Sequence, residues 1–192
     1  MKKCQYIVEW RLQMNTQAKD LWNRIIEKNS KLGANGEEVL NLQPGATAEE
    51  FQLIEKTLSI TLPEEMKSFY SIYNGQVWTL GVEPFVRNLT LSPISEIIEN
   101  WKFLQEEFDP DDLLPDIEYG VEVKPMLWNQ KWIPIAENGG GDYLCLDTDP
   151  TEEGVVGQAL YFWHDWGDRT TDAKGLFEFI ERCLNEENDC DN

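Results

Sequence analysis

Basic residues are what this sequence is shortest of: 16 Lys and Arg stand against 36 Asp and Glu, giving a formal net charge of −20 over 192 residues. Such a surface repels phosphate backbones and anionic membranes over about a Debye length, ~8 Å at physiological salt, so neither nucleic acid nor a membrane is expected as a partner. A basic protein is the partner that this charge favours. Histidine is rarer still, with His164 alone. The four cysteines, Cys4, Cys145, Cys183 and Cys190, show no paired metal-ligand spacing. The two nearest fall seven apart on one expected helix, about 10 Å at ~1.5 Å rise per residue and beyond disulfide reach. Free thiols in a reducing cytoplasm follow. No stretch approaches ~18 consecutive apolar residues, and residues 1–10 lack the apolar run and cleavage site of a secretory signal. Internal repeats, low-complexity linkers and composition breaks are absent as well. One domain over residues 1–192 is therefore expected, with 1–46 as an N-terminal helical extension and 186–192 as an acidic tail.

What is present suffices for a core. Apolar residues make up 41% of the chain and aromatics 11%, too rich for a disordered polymer. A chain of this length buries roughly 70% of its unfolded surface without a metal or disulfide staple. The organising stretch is 132–164, where apolar and aromatic runs at 132–136, 143–147 and 158–164 are bounded by turn residues and read as a β-meander. Gly139, Gly140 and Gly141 supply the first reversal, at least one with positive φ, and Asp149 to Gly154 the second. Leu144, Leu146, Leu160 and Phe162 alternate with Tyr143, Cys145, Tyr161 and Trp163, which predicts one buried face and one aromatic and polar face.

Helices are expected around this sheet. The spacing of Leu21, Trp22, Ile25 and Ile26 predicts one over 17–31, capped by Asn15 or Thr16, with Asn35-Gly36 in the following loop. Thr47-Ala48-Glu49-Glu50 is a capping box opening a second helix to Leu58. Leu62-Pro63 opens a third that stops at Asn74 or Gly75, with Phe69 and Tyr70 at least partly buried. Short strands are expected at 77–82, 86–89 and 121–128. Ser92-Pro93 should cap a helix running to Phe108, and a last helix should span 173–186.

Catalytic and ligand motifs are weak. His164, beside Asp165 and near Asp168, has the chemistry of a general base, yet no G-x-S-x-G nucleophile elbow accompanies it. Asp142, Asp147 and Asp149 carry cation-binding oxygens but lack the D-x-D-x-D-G loop with its distal Glu, so turn-building is the reading and no metal is expected. The triple glycine is followed by neither Lys-Ser/Thr nor a helix start, which removes the usual phosphate cradle. No cofactor is expected. Asp109, Asp111, Asp112 and Asp116 form an acidic run that either imitates nucleic-acid phosphates or is a solvated loop. Most of the eight tryptophans are expected in the core. Trp163 and Trp166, flanked by His164, Asp165 and Gly167, are the best exposed candidates for a recognition face.

The order LWNRIIEKN, LQPGATAEEFQLIEKTL, LPEEMKSFYSIYNG, WIPIAENGGGDYLCLDTDP and GQALYFWHD resembles the SUKH superfamily, which holds yeast cell-wall-synthesis regulators and bacterial immunity proteins. The likeness runs from about Leu21 to Asp165 and is densest over 62–75 and 132–149. Its signature positions here are Leu62, Pro63, Tyr70, Asn74, Gly75, Trp132, Pro134, Gly141, Asp142 and Asp147. The resemblance implies one α+β domain, a mainly antiparallel sheet with a central β-meander flanked by helices. It also implies a non-catalytic protein that binds and neutralises a cognate bacterial toxin, often a nuclease. The alternative is an intracellular regulatory or scaffold protein of cell-wall synthesis. The expected partner-binding residues are Asp109, Asp111, Asp112, Asp116, Trp163, His164, Asp165 and Trp166.

Overall fold

A computed structural model describes residues 2–30, 35–108 and 118–190. Among the described residues the order is α1 (Lys2–Asn29), α2 (Gly36–Val39), β1 (Leu42–Pro44), α3 (Ala48–Leu58), α4 (Glu64–Tyr70), β2 (Tyr73–Gln76), β3 (Thr90–Leu91), α5 (Ile94–Glu107), β4 (Trp132–Glu137), β5 (Tyr143–Asp147), β6 (Gln158–Phe162), β7 (Thr171–Ala173) and α6 (Leu176–Cys190). The strands β3-β4-β5-β6-β7 form one antiparallel sheet in sequence order, and β1 pairs with β2 in a second. This is the expected α+β architecture. None of the described helices is long and apolar enough to cross a membrane.

The sheet is buried on both faces, which corrects the expected division into a dry and a wet side. Register places Leu144 opposite Tyr161 and Cys145 opposite Leu160. Leu144, Leu146, Ala159 and Tyr161 therefore share the face that meets α1, α3, α4 and α6. Trp132, Tyr143, Cys145, Leu160 and Phe162 share the opposite face, covered by Leu104, Val123 and Trp128. Alternation along one strand could not reveal this, because it does not say which phases of two strands coincide. Pro134 sits in the inner strand β4, where a missing N–H would break the ladder, and the register shifts between it and Ala136.

The helices follow their expected faces but not always their limits. In α1 the buried stripe is Ala18, Leu21, Trp22 and Ile25. The helix starts long before the expected cap, and Thr16 lies inside it with its hydroxyl donating to the Leu12 carbonyl at 2.8 Å. Asn35, read as loop, caps α2 by accepting from the Glu37 amide. The capping box of α3 forms in both directions, Thr47 with Glu50. Leu62 is buried, and Pro63 leads into α4.

That third expected helix ends at Tyr70, and the segment assigned to its last turn is β2. Phe69 and Tyr70 are fully buried as expected: Phe69 stacks on Trp22 with centroids 4.3 Å apart, and the Tyr70 hydroxyl lies 3.0 Å from the Ser92 carbonyl and 3.2 Å from that of Ile135. The helical spacing of Tyr73 loses to side-chain bonding of the backbone. Gln76 donates to the Leu40 and Glu83 carbonyls and accepts from the Leu91 amide. Asn74 accepts from the Ile94 amide at 3.0 Å, so it caps α5 from outside while Ser92 makes no cap. Gly75 has φ +75°, and a Cβ there would stand 2.5 Å from the Pro93 nitrogen.

The strands expected at 77–82 and 121–128 are turns and loop, and 86–89 provides only an isolated bridge between Val86 and Leu89. In the second case Val123 and Trp128 are drawn into the core beneath the sheet without a ladder, a tertiary demand that apolar content alone imitates as a strand. The final helix starts at Leu176, after the unforeseen β7, and continues past Glu186 to Cys190. Cys145 and Cys183 are buried in different clusters.

Candidate functional site

Beyond β6 the chain turns through Trp163, His164, Asp165 and Trp166, and all four are exposed. Trp163 retains 37% of its exposure and Trp166 63%. The strand expected to reach His164 stops at Phe162, because the His164 amide leaves the ladder and donates to Asp142 Oδ1 at 3.0 Å. His164 Nδ1 lies 2.9 Å from the same oxygen. Asp142 Oδ2 accepts from Asn138 Nδ2 at 2.8 Å, and Asn138 Oδ1 accepts from the Gly140 amide, also at 2.8 Å. The β4–β5 hairpin is thereby clamped to the end of β6.

The hairpin glycines behave as expected, with φ +74° at Gly139 and +97° at Gly141. Gly141 is further constrained from above, since a Cβ would come 3.2 Å from the His164 ring. Although partial burial acts to raise it, the bonds from His164 and Asn138 hold the Asp142 carboxyl below its ordinary range. The same bond raises His164 from 6.5. Asp142, His164 and Asp165 bring one donor atom each within 4.8 Å of one another, the one such group among the described residues. Both Asp142 oxygens and His164 Nδ1 are already engaged in the clamp, which is the geometry of a hydrogen-bonded tie. Asp168, the other acid considered beside His164, serves Trp166 instead: it accepts from the indole N–H at 2.7 Å and from the Glu118 amide at 2.9 Å.

Arg169 is the residue that sequence reading missed. It is fully buried, its Cζ lies 4.4 Å from the centre of the Phe162 ring, and no carboxylate pairs with it among the described residues. Its donors instead collect carbonyls: Leu127 at 3.2 Å, Trp166 at 2.6 Å, Asp168 at 3.0 Å and Trp163 at 3.3 Å. Burial lowers its pKa to about 10. The guanidinium fork thus holds both ends of the tryptophan loop. An Arg following Gly-Asp in a polar segment carries no sequence mark of burial, so no local signal would have found it.

The other expected residues divide between structure and surface. Asp147 is buried and closes the β5–β6 turn, accepting from the Asp149 amide at 2.8 Å and from Gln158 Nε2 at 3.0 Å. Asp149 takes Lys124 at 2.5 Å, so these carboxylates build the turn, as the sequence reading had it. Asp109, Asp111, Asp112 and Asp116 lie outside the described residues. Leu62, Pro63, Tyr70, Asn74, Gly75, Trp132 and Pro134 shape the core and caps and do not enter the loop. Tryptophan is less buried than expected: Trp22, Trp128 and Trp132 are interior and Trp101 is half-buried, while Trp10, Trp78, Trp163 and Trp166 are exposed.

The profile of the SMI1 / KNR4 family (SUKH-1) matches residues 45–182. The chain belongs to this family. The match takes in the meander, the clamp and Arg169, and leaves α1 outside, although Trp22 of α1 stacks on Phe69 and donates its indole N–H to the Phe69 carbonyl at 3.0 Å. The chain is similar to a Schizosaccharomyces pombe protein named cell wall biosynthesis/cell cycle regulator smi1, 25% identical across 71% of this chain and 30% of the relative. It is also similar to a Neurospora crassa glucan synthesis regulatory protein, 22% identical across 72% of this chain and 33% of the relative. The chain spans about a third of the length of these curated relatives.

Proposed function

We propose that the protein is a non-catalytic binding module, an immunity protein that occupies the active surface of a basic toxin inside the cell that makes it. The observation that carries the reading is the loop 163–166: two exposed indoles are held in fixed register by a buried arginine on a chain of net charge −20. Aromatic anchors concentrate binding energy at interface centres, and an ordered loop loses little entropy on docking. The surrounding acids speed encounter with a cationic partner. No step here asks a side chain to transfer a proton or group.

The test is co-expression with any candidate toxin encoded beside this chain, followed by binding kinetics across a salt series. Association should slow by one to three orders of magnitude between low and high salt, and truncating Trp163 or Trp166 should mainly hasten release. Failure to bind any neighbouring toxin at micromolar concentration overturns the immunity reading. A second reading is then favoured by the names of the two fungal relatives, regulators of cell-wall and glucan synthesis: the same loop would dock on a protein of envelope assembly. A reading frame for a large secreted protein with a basic C-terminal domain beside this one separates the two.

A further inference from the structure

Next to the tryptophan loop, on the α6 side of the sheet, a cavity of about 410 Å³ opens between Arg87, Asn138, Tyr161, Trp163, Thr170 and Asp172. Its volume falls at the small end of the ~300–1,000 Å³ of ligand pockets. Two features of the wall specify what fits. The first is an aromatic stack flanked by a guanidinium. Trp163 stacks on Tyr161 with centroids 4.7 Å apart and 13° between planes, and the Arg87 guanidinium carbon lies 6.0 Å from the Tyr161 ring centre and 5.3 Å from that of Phe179. Stacking covers one face of the Trp163 indole, so the exposure it retains belongs to its other face and edges.

The second feature is the charge. Arg87 does not serve as an anion anchor, because its donors are spent within the protein: Nη1 on the Tyr161 hydroxyl at 3.0 Å and Nη2 on Glu186 at 2.8 Å, with Asp172 at 3.8 Å. Arg87 is thereby neutralised within the protein, and the negative charge that remains is that of the chain as a whole, −20. Asp172 has 27% of its side chain exposed; its Oδ2 is buried beside Arg87, and its other oxygen, Oδ1, makes no hydrogen bond among the described residues. An open indole face and an unbonded carboxylate oxygen lining one cavity suit a planar cation, which stacks on the ring and donates to the acid.

We infer that this cavity receives an arginine side chain of the protein partner, an assignment that rests on the protein-binding reading above and names what that partner presents. The guanidinium would stack on the open face of Trp163 and so extend the Tyr161–Trp163 stack, with its N–H groups directed to Asp172. Lysine matches the charge but lacks the plane, and an anionic side chain is opposed by Asp172 and by the net charge of the chain.

The full chain is titrated at low salt with acetyl-Gly-Arg-Gly-amide and with its neutral isostere acetyl-Gly-citrulline-Gly-amide, read by ¹H–¹⁵N spectra. Saturable shifts at the Trp163 indole N–H and the Asn138 side-chain amide with the arginine peptide alone are the expected result. Trp163→Leu and Asp172→Asn should each weaken that binding about two- to fivefold, the range of exposed cation–π and ion pairs. Should Asp172→Asn lower the melting temperature, Thr170→Trp at the exposed rim fills the mouth without touching the Arg87 pair and should abolish the shifts. Equal binding of the citrulline peptide, or arginine-peptide shifts indifferent to all three variants, overturns the inference. A cognate toxin held equally well by wild type and cavity variants also overturns it while the protein-binding reading stands. Specific arginine-peptide binding without any captured toxin upholds the cavity and removes the immunity reading.

Discussion

Arg169→Met keeps roughly the volume of the side chain and removes its charge and its donors. Four carbonyls lose their partner: Leu127, Trp163, Trp166 and Asp168. A net hydrogen bond stabilises by about 0.5–1.5 kcal/mol, and an unsatisfied buried acceptor costs about 1–3 kcal/mol. The carbonyls of 163–168 lie near the surface, where water replaces part of the loss, and methionine escapes the desolvation that burial of a cation requires. The expected cost is about 2–4 kcal/mol. Because no carboxylate is left unpaired, the larger penalty of an orphaned buried charge does not apply. Arg169→Lys keeps the charge but offers three donors in place of the planar fork, so it should recover at most half of the loss. Urea unfolding followed by far-ultraviolet circular dichroism gives the stability. Hydrogen exchange at the Trp163 and Trp166 indoles reports the loop, and should accelerate in Arg169→Met more than exchange within β5. A change below about 0.5 kcal/mol with unaltered indole exchange would refute the role of Arg169 as the loop's anchor.

Three further outcomes are expected. Phe69→Ala should cost about 3–5 kcal/mol in urea unfolding, since it empties a fully buried site against Trp22; a loss under 1 kcal/mol would show that the helix contact is not a core contact. Substitution by Val should lower the melting temperature most at Gly141, which combines φ +97° with the His164 ring overhead, less at Gly139, where only φ is adverse, and least at Gly140; equal effects would remove the clamp from the account. His164 should titrate above 6.5, and Asp142→Asn should return its midpoint toward that value. The clamp's contribution is accordingly complete below the unfolded histidine value and lost as pH rises through the raised folded one; for Asp142 it is lost as pH falls through its lowered value. The chain has one histidine, so its imidazole resonance reads this directly, and a midpoint at or below 6.5 contradicts the pairing.

The meander and the helix faces were legible because each rests on local periodicity and turn chemistry. The Thr47–Glu50 box is a four-residue signal, and the hairpin glycines announce their φ. Errors gathered wherever a distant partner decided the outcome. Tyr73 continues the helical spacing of Met66, Phe69 and Tyr70, yet the strand there is held by Gln76, which bonds to groups at Leu40, Glu83 and Leu91, none readable within the window. The 121–128 run has strand composition, but its apolar residues are claimed one by one by the core beneath the sheet. At the site, Trp163 and Trp166 stood out as large aromatics among polar neighbours, and their exposure agrees with that reading. The acids near His164 in sequence are Asp165 and Asp168, whereas the one bonded to it, Asp142, reaches it through the pairing of β5 with β6.

These misses share a cause that bears on the function. A loop of two tryptophans, a histidine and an aspartate would be floppy if only its own sequence supported it, and anchoring such a loop on binding costs about 0.5–1.5 kcal/mol per immobilised side chain. Here the restraints come from three separate places. Arg169 grips its carbonyls from the core, Asp168 fixes the Trp166 indole, and Asp142 ties His164 to the neighbouring hairpin. Cation and anion are thus used internally: Arg169 spends its charge on carbonyls, and His164 faces Asp142. Asp165 is the charged loop residue that makes no such tie among the described residues, which leaves the outward field negative and the indoles fixed. A surface of that kind is already organised in the free chain, which is what the proposed docking of a cationic partner on rigid aromatic faces requires.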